Sequence, residues 1–296
     1  MVYPRRITTL ALLCATLLSA SPDTETILIE ARRLVREQRL PEARLPLEQL
    51  LADQPGNSEA TLLLARVNDR TGRRDDALSL LEPLANRYPE DPRVIGLYAG
   101  ICMLRAGELG VSLRAIRLAR RGRELMEKAV ALAPDEIAYH EGLVDFYRQA
   151  PGIVGGDVAK ARLHADAVAR IDPVRGAAWQ ASILVQEKKF PEALAACDAA
   201  LRVKPDDYIA LFTLGRTVAE SGLRLPDGEA ALRRCFAVVP RPSEPSHAGV
   251  WHWLGLIAEK RHDLTAARAA YAKALEMEPS FNRPAEALRR LDSKTD

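Results

Sequence analysis

Small residues and prolines recur along this chain at a period close to 34 residues, and this repetition constrains the fold more than any other feature. The clearest copy carries its marker residues at Trp251, Leu254, Gly255, Ala267, Tyr271, Ala274 and Pro279. The prolines that close successive copies are Pro55, Pro89, Pro134, Pro173, Pro205, Pro240 and Pro279, at spacings of 34, 45, 39, 32, 35 and 39 residues. A unit of this length cannot bury its own apolar face, so it must stack on copies of itself.

Each copy predicts two antiparallel helices. A small residue lets two helix axes approach closely, and a proline cannot continue a helix, so it ends the second helix of a copy. Acidic residues follow Pro89, Pro134 and Pro205 and are suited to cap the next helix. No alternating apolar run bounded by turn residues is present, so we expect essentially no β-sheet.

These places match the signature of the tetratricopeptide repeat (TPR), and the chain resembles that family over roughly residues 24–280. The resemblance implies an all-α, TPR-like α-solenoid of about seven antiparallel helix pairs with a C-terminal capping helix. It also implies a right-handed superhelix whose concave face is lined by the first helices. The expected repeats are 24–57, 58–91, 92–136, 137–173, 174–207, 208–240 and 248–280, followed by a capping helix at 281–292, in a single domain of residues 21–296.

The first twenty residues have the pattern of a secretory signal peptide. Arg5 and Arg6 precede the apolar run from Ile7 to Leu18, and Ser19 and Ala20 are small. We expect cleavage after Ala20 and a periplasmic or secreted protein with no integral membrane domain. An uncleaved segment that anchors the protein in the inner membrane is the alternative.

Charge and cysteine usage exclude several classes of partner. The full chain has 42 basic and 40 acidic residues, and removal of the two arginines in residues 1–20 leaves equal numbers. This balance favours neither nucleic acid nor an anionic membrane surface for the chain as a whole. Cys102, Cys197 and Cys235 occupy apolar helical places without short spacing, so we expect buried thiols rather than disulfides or a zinc site.

No catalytic motif is evident. The sequence has no nucleophile motif, no His-Glu-x-x-His and no dinucleotide-binding fingerprint, and its five histidines lack metal-ligand spacing. We therefore predict a protein that is not an enzyme and has no cofactor. It would be a protein- or peptide-binding scaffold of the cell envelope; the alternative is an accessory protein of a solute transport or secretion system. The partner's identity and the oligomeric state stay open.

The resemblance also indicates which side chains would face a partner. In the family, places 2, 5, 9, 12 and 13 of the first helix tend to line the concave side. The candidates at these places are Arg32, Arg36, Arg66, Arg70, Glu141, Asp145, Arg148, Arg216, Glu220 and His252. Leucine at place 5 of the first two copies (Leu28 and Leu62) argues against the chaperone-tail-binding subfamily.

The third copy departs from the repeat by eleven extra residues, which predict a long second helix from about Ser112 to Leu132. It carries the basic residues Arg114, Arg117, Arg120, Arg121 and Arg123, with no acidic residue until Glu124. Leu113, Ile116 and Leu125 are expected to pack inward. The arginines form either a basic ridge for an anionic partner, such as an acidic peptide or a cell-wall polymer, or a solvated face paired with neighbouring acids.

The fourth copy has an insert from Gln149 to Asp157. Its candidate functional residues are Gly152, Gly155, Gly156 and Asp157. Gly155 and Gly156 permit positive φ, Asp157 is placed to cap a helix over 158–171, and Ile153 and Val154 are expected to pack on a neighbour. The stretch resembles glycine-rich inserts in a group of bacterial envelope TPR proteins. It is either an anion-binding loop or a structural turn.

Prolines inside two second helices are expected to disturb the first two copies. Pro46 and Pro83 should bend or shorten their helices, because proline removes a backbone donor and clashes with the preceding turn.

Overall fold

The computed structural model describes residues 23–241 and 244–293, and the regular structure in these ranges is helical, without a strand. The predicted signal peptide, residues 1–20, lies outside the described residues. The chain divides into two compact units between Leu80 and Leu81. The helices of the first unit are α1 Thr24–Arg36, α2 Leu40–Asp53 and α3 Ser58–Arg70, and the division falls inside α4 Arg74–Arg87.

The second unit contains five further helix pairs and a last helix. These are α5 Pro92–Glu108, α6 Leu113–Leu132, α7 Ile137–Gln149, α8 Val158–Ile171, α9 Pro173–Gln186, α10 Phe190–Val203, α11 Tyr208–Ser221, α12 Leu225–Cys235, α13 His247–Lys260, α14 Leu264–Met277 and α15 Asn282–Asp292, with a short 3₁₀ turn at Gly152–Val154. Each first helix from α7 to α13 packs on its own partner and on the second helix of the preceding pair, and α11 also packs on α9 and α13. This consecutive stacking confirms the predicted all-α, TPR-like α-solenoid, with seven pairs followed by a C-terminal helix.

The first unit has a core of its own. Leu28 and Ala31 of α1, Leu47 of α2 and Val67 of α3 are buried together. The helices α2 and α4 continue through Pro46 and Pro83, and both keep the 14 residues that α10 and α14 also have. The predicted shortening is therefore wrong. In α2 the burial of Ala43, Leu47 and Leu50 around Pro46 outweighs the loss of one backbone hydrogen bond.

The closing prolines end the second helices as predicted. In six copies the helix ends two residues before its proline, as with Leu132 before Pro134 and Met277 before Pro279. The exception is α12, which ends at Cys235, five residues before Pro240. Phe236 leaves the helix there, and its ring centroid lies 4.9 Å from that of Trp251.

The acidic residues after the prolines cap the first helices. The side chains of Asp91, Glu136 and Asp207 accept hydrogen bonds from the backbone N–H groups of Arg93, Ala138 and Ala210. Each carboxylate satisfies a donor that has no partner inside its helix.

Small residues stand where the two helices of a pair approach most closely. A Cβ at Gly215 would lie 2.2 Å from Cγ of Leu232, and one at Gly255 would lie 2.5 Å from Cε1 of Tyr271. Ala193 is fully buried. A larger side chain at these places would force the helices of a pair apart.

Three further findings concern the cysteines, membrane-spanning helices and metal ligands of the described residues. Cys102, Cys197 and Cys235 are free and buried, as predicted. Within residues 23–241 and 244–293, no helix is long and apolar enough to cross a bilayer. In the same ranges, no three or more histidine, cysteine or acidic side chains are grouped so that they could hold a metal ion.

Candidate binding site

Two of the four candidate arginines of the first unit are hydrogen-bonded to neighbouring residues. Arg32 bonds to Glu59, 3.3 Å away, and Arg70 donates to the carbonyl oxygen of Val35 at 3.2 Å. Arg36 and Arg66 are exposed and form no ion pair with the described residues. The exposed arginines remain available to a carboxylate in solution.

The candidate charges of α7 are matched by neighbours in the same unit. Both carboxylate oxygens of Glu141 accept from Arg175, at 2.9 and 2.6 Å, and Trp179 Nε1 donates to the same carboxylate at 3.0 Å. Asp145 pairs with Arg148 at 3.0 Å. The bonds of Glu141 connect α7 with α9, whereas the Asp145–Arg148 pair lies within α7. A partner would have to displace these charge-assisted bonds to use the side chains.

A pocket of about 230 Å³ lies between α11, α13 and the segment that leads into α15. Its lining residues are Phe212, Arg216, Pro245, Ser246, Gly249, His252, Trp253, Glu278, Phe281 and Arg283. Two sequence-predicted residues, Arg216 and His252, therefore belong to the same concavity.

Arg216 gives the pocket an ordered cation. Its guanidinium carbon lies 5.9 Å from the centroid of the Trp253 ring, and its Nε donates to Glu220 at 2.7 Å. The predicted Glu220 thus acts through Arg216, because it holds that side chain in place over the indole face. An oriented guanidinium is suited to bind a carboxylate with two parallel hydrogen bonds.

His252 is buried against the aromatic wall of the pocket. Its ring centroid lies 4.8 Å from that of Trp253 and 5.5 Å from that of Phe281. Burial, together with the positive charge of Arg283, lowers the pKa of His252 to about 4. The imidazole is therefore neutral at pH 7, and the pocket carries its charge on Arg216, Arg283 and Glu278.

Sequence reasoning missed eight of the ten lining residues, and four of them, Trp253, Glu278, Phe281 and Arg283, give the pocket much of its shape and charge. Trp253 stands at place 6 of its helix, one residue after a place that tends to face a partner. The other three lie around the link after α14, outside the first-helix places of any repeat. The aromatic Phe281 beside the basic Arg283 was a usable signal, since the pair follows the last closing proline.

The arginines of the predicted basic ridge on α6 make different contacts. Arg120 donates to the carbonyl oxygen of Ile153 at 2.9 Å, and Arg123 lies against Gly155. Burial raises the pKa values of Tyr98 and Cys102, and the positive charge of Arg121 partly offsets that rise. Arg114 and Arg117 are exposed on the same helix. The ridge and the insert, which the sequence treats as separate features, therefore meet.

The insert forms a turn with one side open. Asp157 caps α8, which spans the predicted residues, and Gly155 has φ of +104°. A Cβ on Gly156 would lie 1.7 Å from the carbonyl oxygen of Ala150, while Gly152 has open space around it. Val154 is buried as predicted, but Ile153 is 71% exposed, so only one of the two packs inward.

Leu113 corrects the prediction for α6. It was expected to pack inward with Leu125, yet it is 80% exposed, whereas Leu125 is buried. Leu113 is the first residue of the helix, and its stripe contains Arg117 and Arg120 rather than the buried Ala115 and Ala119.

Two histidines meet beneath the insert. Nδ1 of His140 lies 3.0 Å from Nδ1 of His164, and the ring of Tyr147 stacks on His164 at 5.8 Å. Burial lowers the pKa of His164, and so does the neighbouring His140. The two residues are 24 apart in the sequence and lie on the two helices of one pair, α7 and α8.

The fold and this geometry define the class: an α-helical repeat protein with a pocket between α11, α13 and the start of α15. Tetratricopeptide repeat models match residues 34–101, 180–223 and 223–280, so the chain belongs to the tetratricopeptide repeat family. The matches leave residues 102–179, with the long α6 and the insert, outside the models.

Solved structures share the fold at low sequence identity. A tetratricopeptide repeat protein from Parabacteroides merdae superposes with a TM-score of 0.67 and 16% identity, covering 90% of this chain and 98% of that one. PilW, a type IV pilus biogenesis factor, gives a TM-score of 0.52 and 16% identity over 79% of this chain and 99% of PilW. The Cut9–Hcn1 structure of the APC/C gives 0.57 and 16% identity over 92% of this chain and 50% of that chain. No curated protein matches the sequence.

Proposed function

We propose that this protein is a non-enzymatic scaffold that binds a peptide segment of a partner protein, with the pocket between α11 and α13 as the anchor point. The TPR fold supports protein or peptide binding in general. The observation that carries the finer proposal is the combination of Arg216, ordered over Trp253, with an aromatic cavity beside it.

The pocket's size favours one side chain over a whole solute. Small-molecule sites enclose roughly 300–1,000 Å³, whereas this cavity has about 230 Å³. A single aromatic or aliphatic side chain can fill it. This argues for the scaffold over the alternative, an accessory protein that binds a small ligand for a transport or secretion system.

The pocket's charge indicates what accompanies that side chain. Arg216 and Arg283 line the pocket together with Glu278; Glu220 pairs with Nε of Arg216 from beside the pocket, and Oε2 of Glu278 already accepts a hydrogen bond from Ser246. We therefore expect the bound segment to carry a carboxylate next to its apolar anchor.

We further propose that the protein acts in the cell envelope, on the strength of the signal-like pattern of residues 1–20.

Gly249 offers a direct test. A Cβ built there would lie 3.5 Å from Cε2 of Phe212, which is ordinary contact, so Gly249→Leu adds a side chain to the pocket without a clash at its base. The substitution also replaces a helical glycine, which favours α13. Gly100→Leu is the matched control, because Gly100 lies in the first helix α5 with open space around it.

The probe is a library of end-blocked peptides selected on the wild-type protein. We expect enriched sequences with an aromatic or large aliphatic residue beside Asp or Glu. Replacing that acid by its amide should weaken binding about tenfold, which corresponds to about 1.4 kcal/mol. Gly249→Leu should abolish binding, and Gly100→Leu should preserve it. Peptides that bind both variants equally well would overturn the pocket as the anchor.

A further inference from the structure

The surface around the start of α6 exposes apolar side chains that a folded protein normally covers. Val111 is 104% exposed, Leu113 is 80% exposed and Ile153 is 71% exposed. Scattered exposed leucines need no explanation, but these three protrude beside a row of arginines. We call Val111, Leu113, Arg117, Arg120 and Ile153 the α6 surface.

Helical spacing places these residues on one side. Leu113, Arg117 and Arg120 are separated by four and three residues, so they form one stripe along α6. Nη2 of Arg120 donates to the carbonyl oxygen of Ile153 at 2.9 Å, which holds the tip of the insert next to the end of that stripe. Val111 immediately precedes the capping residue of the helix, Ser112. Apolar residues thus lie at both ends of a basic stripe.

The two arginines of the α6 surface, Arg117 and Arg120, form no ion pair with a described residue. No acidic residue occurs between Glu108 and Glu124. The contact of Arg120 with Ile153 is to a neutral carbonyl oxygen, so the guanidinium keeps its charge, and Arg117 forms no ion pair with the described residues. The chain as a whole is nearly neutral, with a formal charge of +2, so this field is local.

We propose that the α6 surface docks on an anionic lipid bilayer. Protruding apolar side chains can enter the headgroup boundary, and arginines between them can bind lipid phosphates. A protein partner would instead need these side chains to enter its own pockets. Val111 and Leu113 are almost fully exposed. This favours a lipid bilayer, which deforms around protruding side chains, over a protein whose surface has a fixed shape. Basic residues near an anionic leaflet add to the binding energy individually, so a few suffice for reversible docking.

The test measures sedimentation of the full chain with vesicles of phosphatidylglycerol and phosphatidylcholine, and with vesicles of phosphatidylcholine alone. Residues 1–22 are identical in every variant, so differences between variants report on the α6 surface. Leu113→Asp places an acid in the first turn of α6, where the helix tolerates it, and Arg117→Glu reverses an exposed charge. The matched controls are Val203→Asp and Arg170→Glu, which change exposed residues of α10 and α8.

We expect binding to the anionic vesicles that is at least tenfold weaker for Leu113→Asp and for Arg117→Glu, with both controls close to the wild type. High salt should weaken binding. Absence of binding to anionic vesicles, or equal losses in the controls, would overturn the proposal. Saturable binding of a soluble poly-glutamate peptide, sensitive to the same variants and without vesicle binding, would identify an acidic protein partner instead. Gly249→Leu should bind vesicles like the wild type, so the failure of this proposal is distinguishable from failure of the peptide site.

Discussion

Single glycines decide the geometry of the insert. Gly156 lies so close to the backbone of Ala150 that a methyl group would have to displace a carbonyl oxygen 1.7 Å away, whereas Gly152 faces open space. We expect Gly156→Ala to lower the free energy of unfolding by about 2–3 kcal/mol. Gly152→Ala should change it by less than about 0.5 kcal/mol. Urea unfolding of both variants checks this, and equal stabilities would contradict the turn geometry.

The neutral His252 predicts a loss of stability in acid. Its pKa in the folded protein is about 4, below the ordinary value of 6.5, so the unfolded chain takes up a proton first as the pH falls. The stabilisation is complete above pH 6.5 and is lost progressively between pH 6.5 and about 4. Between pH 7.5 and 5.0 this amounts to about 2 kcal/mol.

The measurement compares urea unfolding of the wild type and His252→Asn at the two pH values. The variant is expected to be less stable at pH 7.5, because it loses aromatic contacts, but its dependence on pH should be shallower. His164 titrates in both proteins and cancels in the comparison. Identical pH dependence in the two proteins would show that His252 is not the group responsible.

Residue by residue, the sequence predicted what depends on local chemistry. The capping roles of Asp91 and Asp157 were predictable because a carboxylate before a helix has few other uses. The bond between Glu141 and Arg175 joins residues one repeat apart, and its prediction requires the stacking geometry of α7 on its neighbour. The outward position of Leu113 was missed because hydrophobicity alone does not tell which stripe of a helix faces the core.

At the scale of the element, α15 closes the last helix pair. Ala287 and Leu291 pack on Ala267 and Tyr271 of α14, and Arg290 bonds to Glu259 of α13. The predicted capping helix is therefore present, and it buries the apolar side of α14 that would otherwise face water.

Truncation of Leu291 tests that closure. Leu291 is 2% exposed, and we expect Leu291→Ala to cost about 2–4 kcal/mol locally, because it removes buried methyl groups and leaves a cavity. Leu264→Ala, at a residue 43% exposed, should cost less than about 1 kcal/mol. The midpoint of urea unfolding followed by circular dichroism reports both. Equal shifts would mean that α15 does not cover α14 in solution.

Across the whole molecule, repeat stacking predicts that damage stays local. In a repeat array the helix pairs contact mainly their neighbours, so a defect at one end does not have to reach the other. In hydrogen exchange followed by mass spectrometry, Leu291→Ala should accelerate exchange in α13–α15 and leave α1–α3 unchanged. Leu47→Ala, at a fully buried residue of the first unit, should do the reverse. Acceleration throughout the chain in either variant would indicate a single cooperative unit.

The fold was predictable as a whole and the pocket was not. The same pattern of prolines and small residues recurs in every repeat, so counting its copies predicted the number of helix pairs. The pocket lies at the end of the array and includes Phe281 and Arg283, which lie outside the repeat. Residues outside the repeat carry no periodic signal.

The three buried thiols have a practical consequence. Burial raises the pKa of Cys102 to about 12, that of Cys197 to about 11 and that of Cys235 to about 12, so each stays protonated and shielded from reagents while its helix pair is closed. They lie in three different pairs, on α5, α10 and α12. The native sequence therefore contains its own set of chemical reporters: the rate at which each thiol is alkylated measures how often that stretch of the array opens, without any label being introduced.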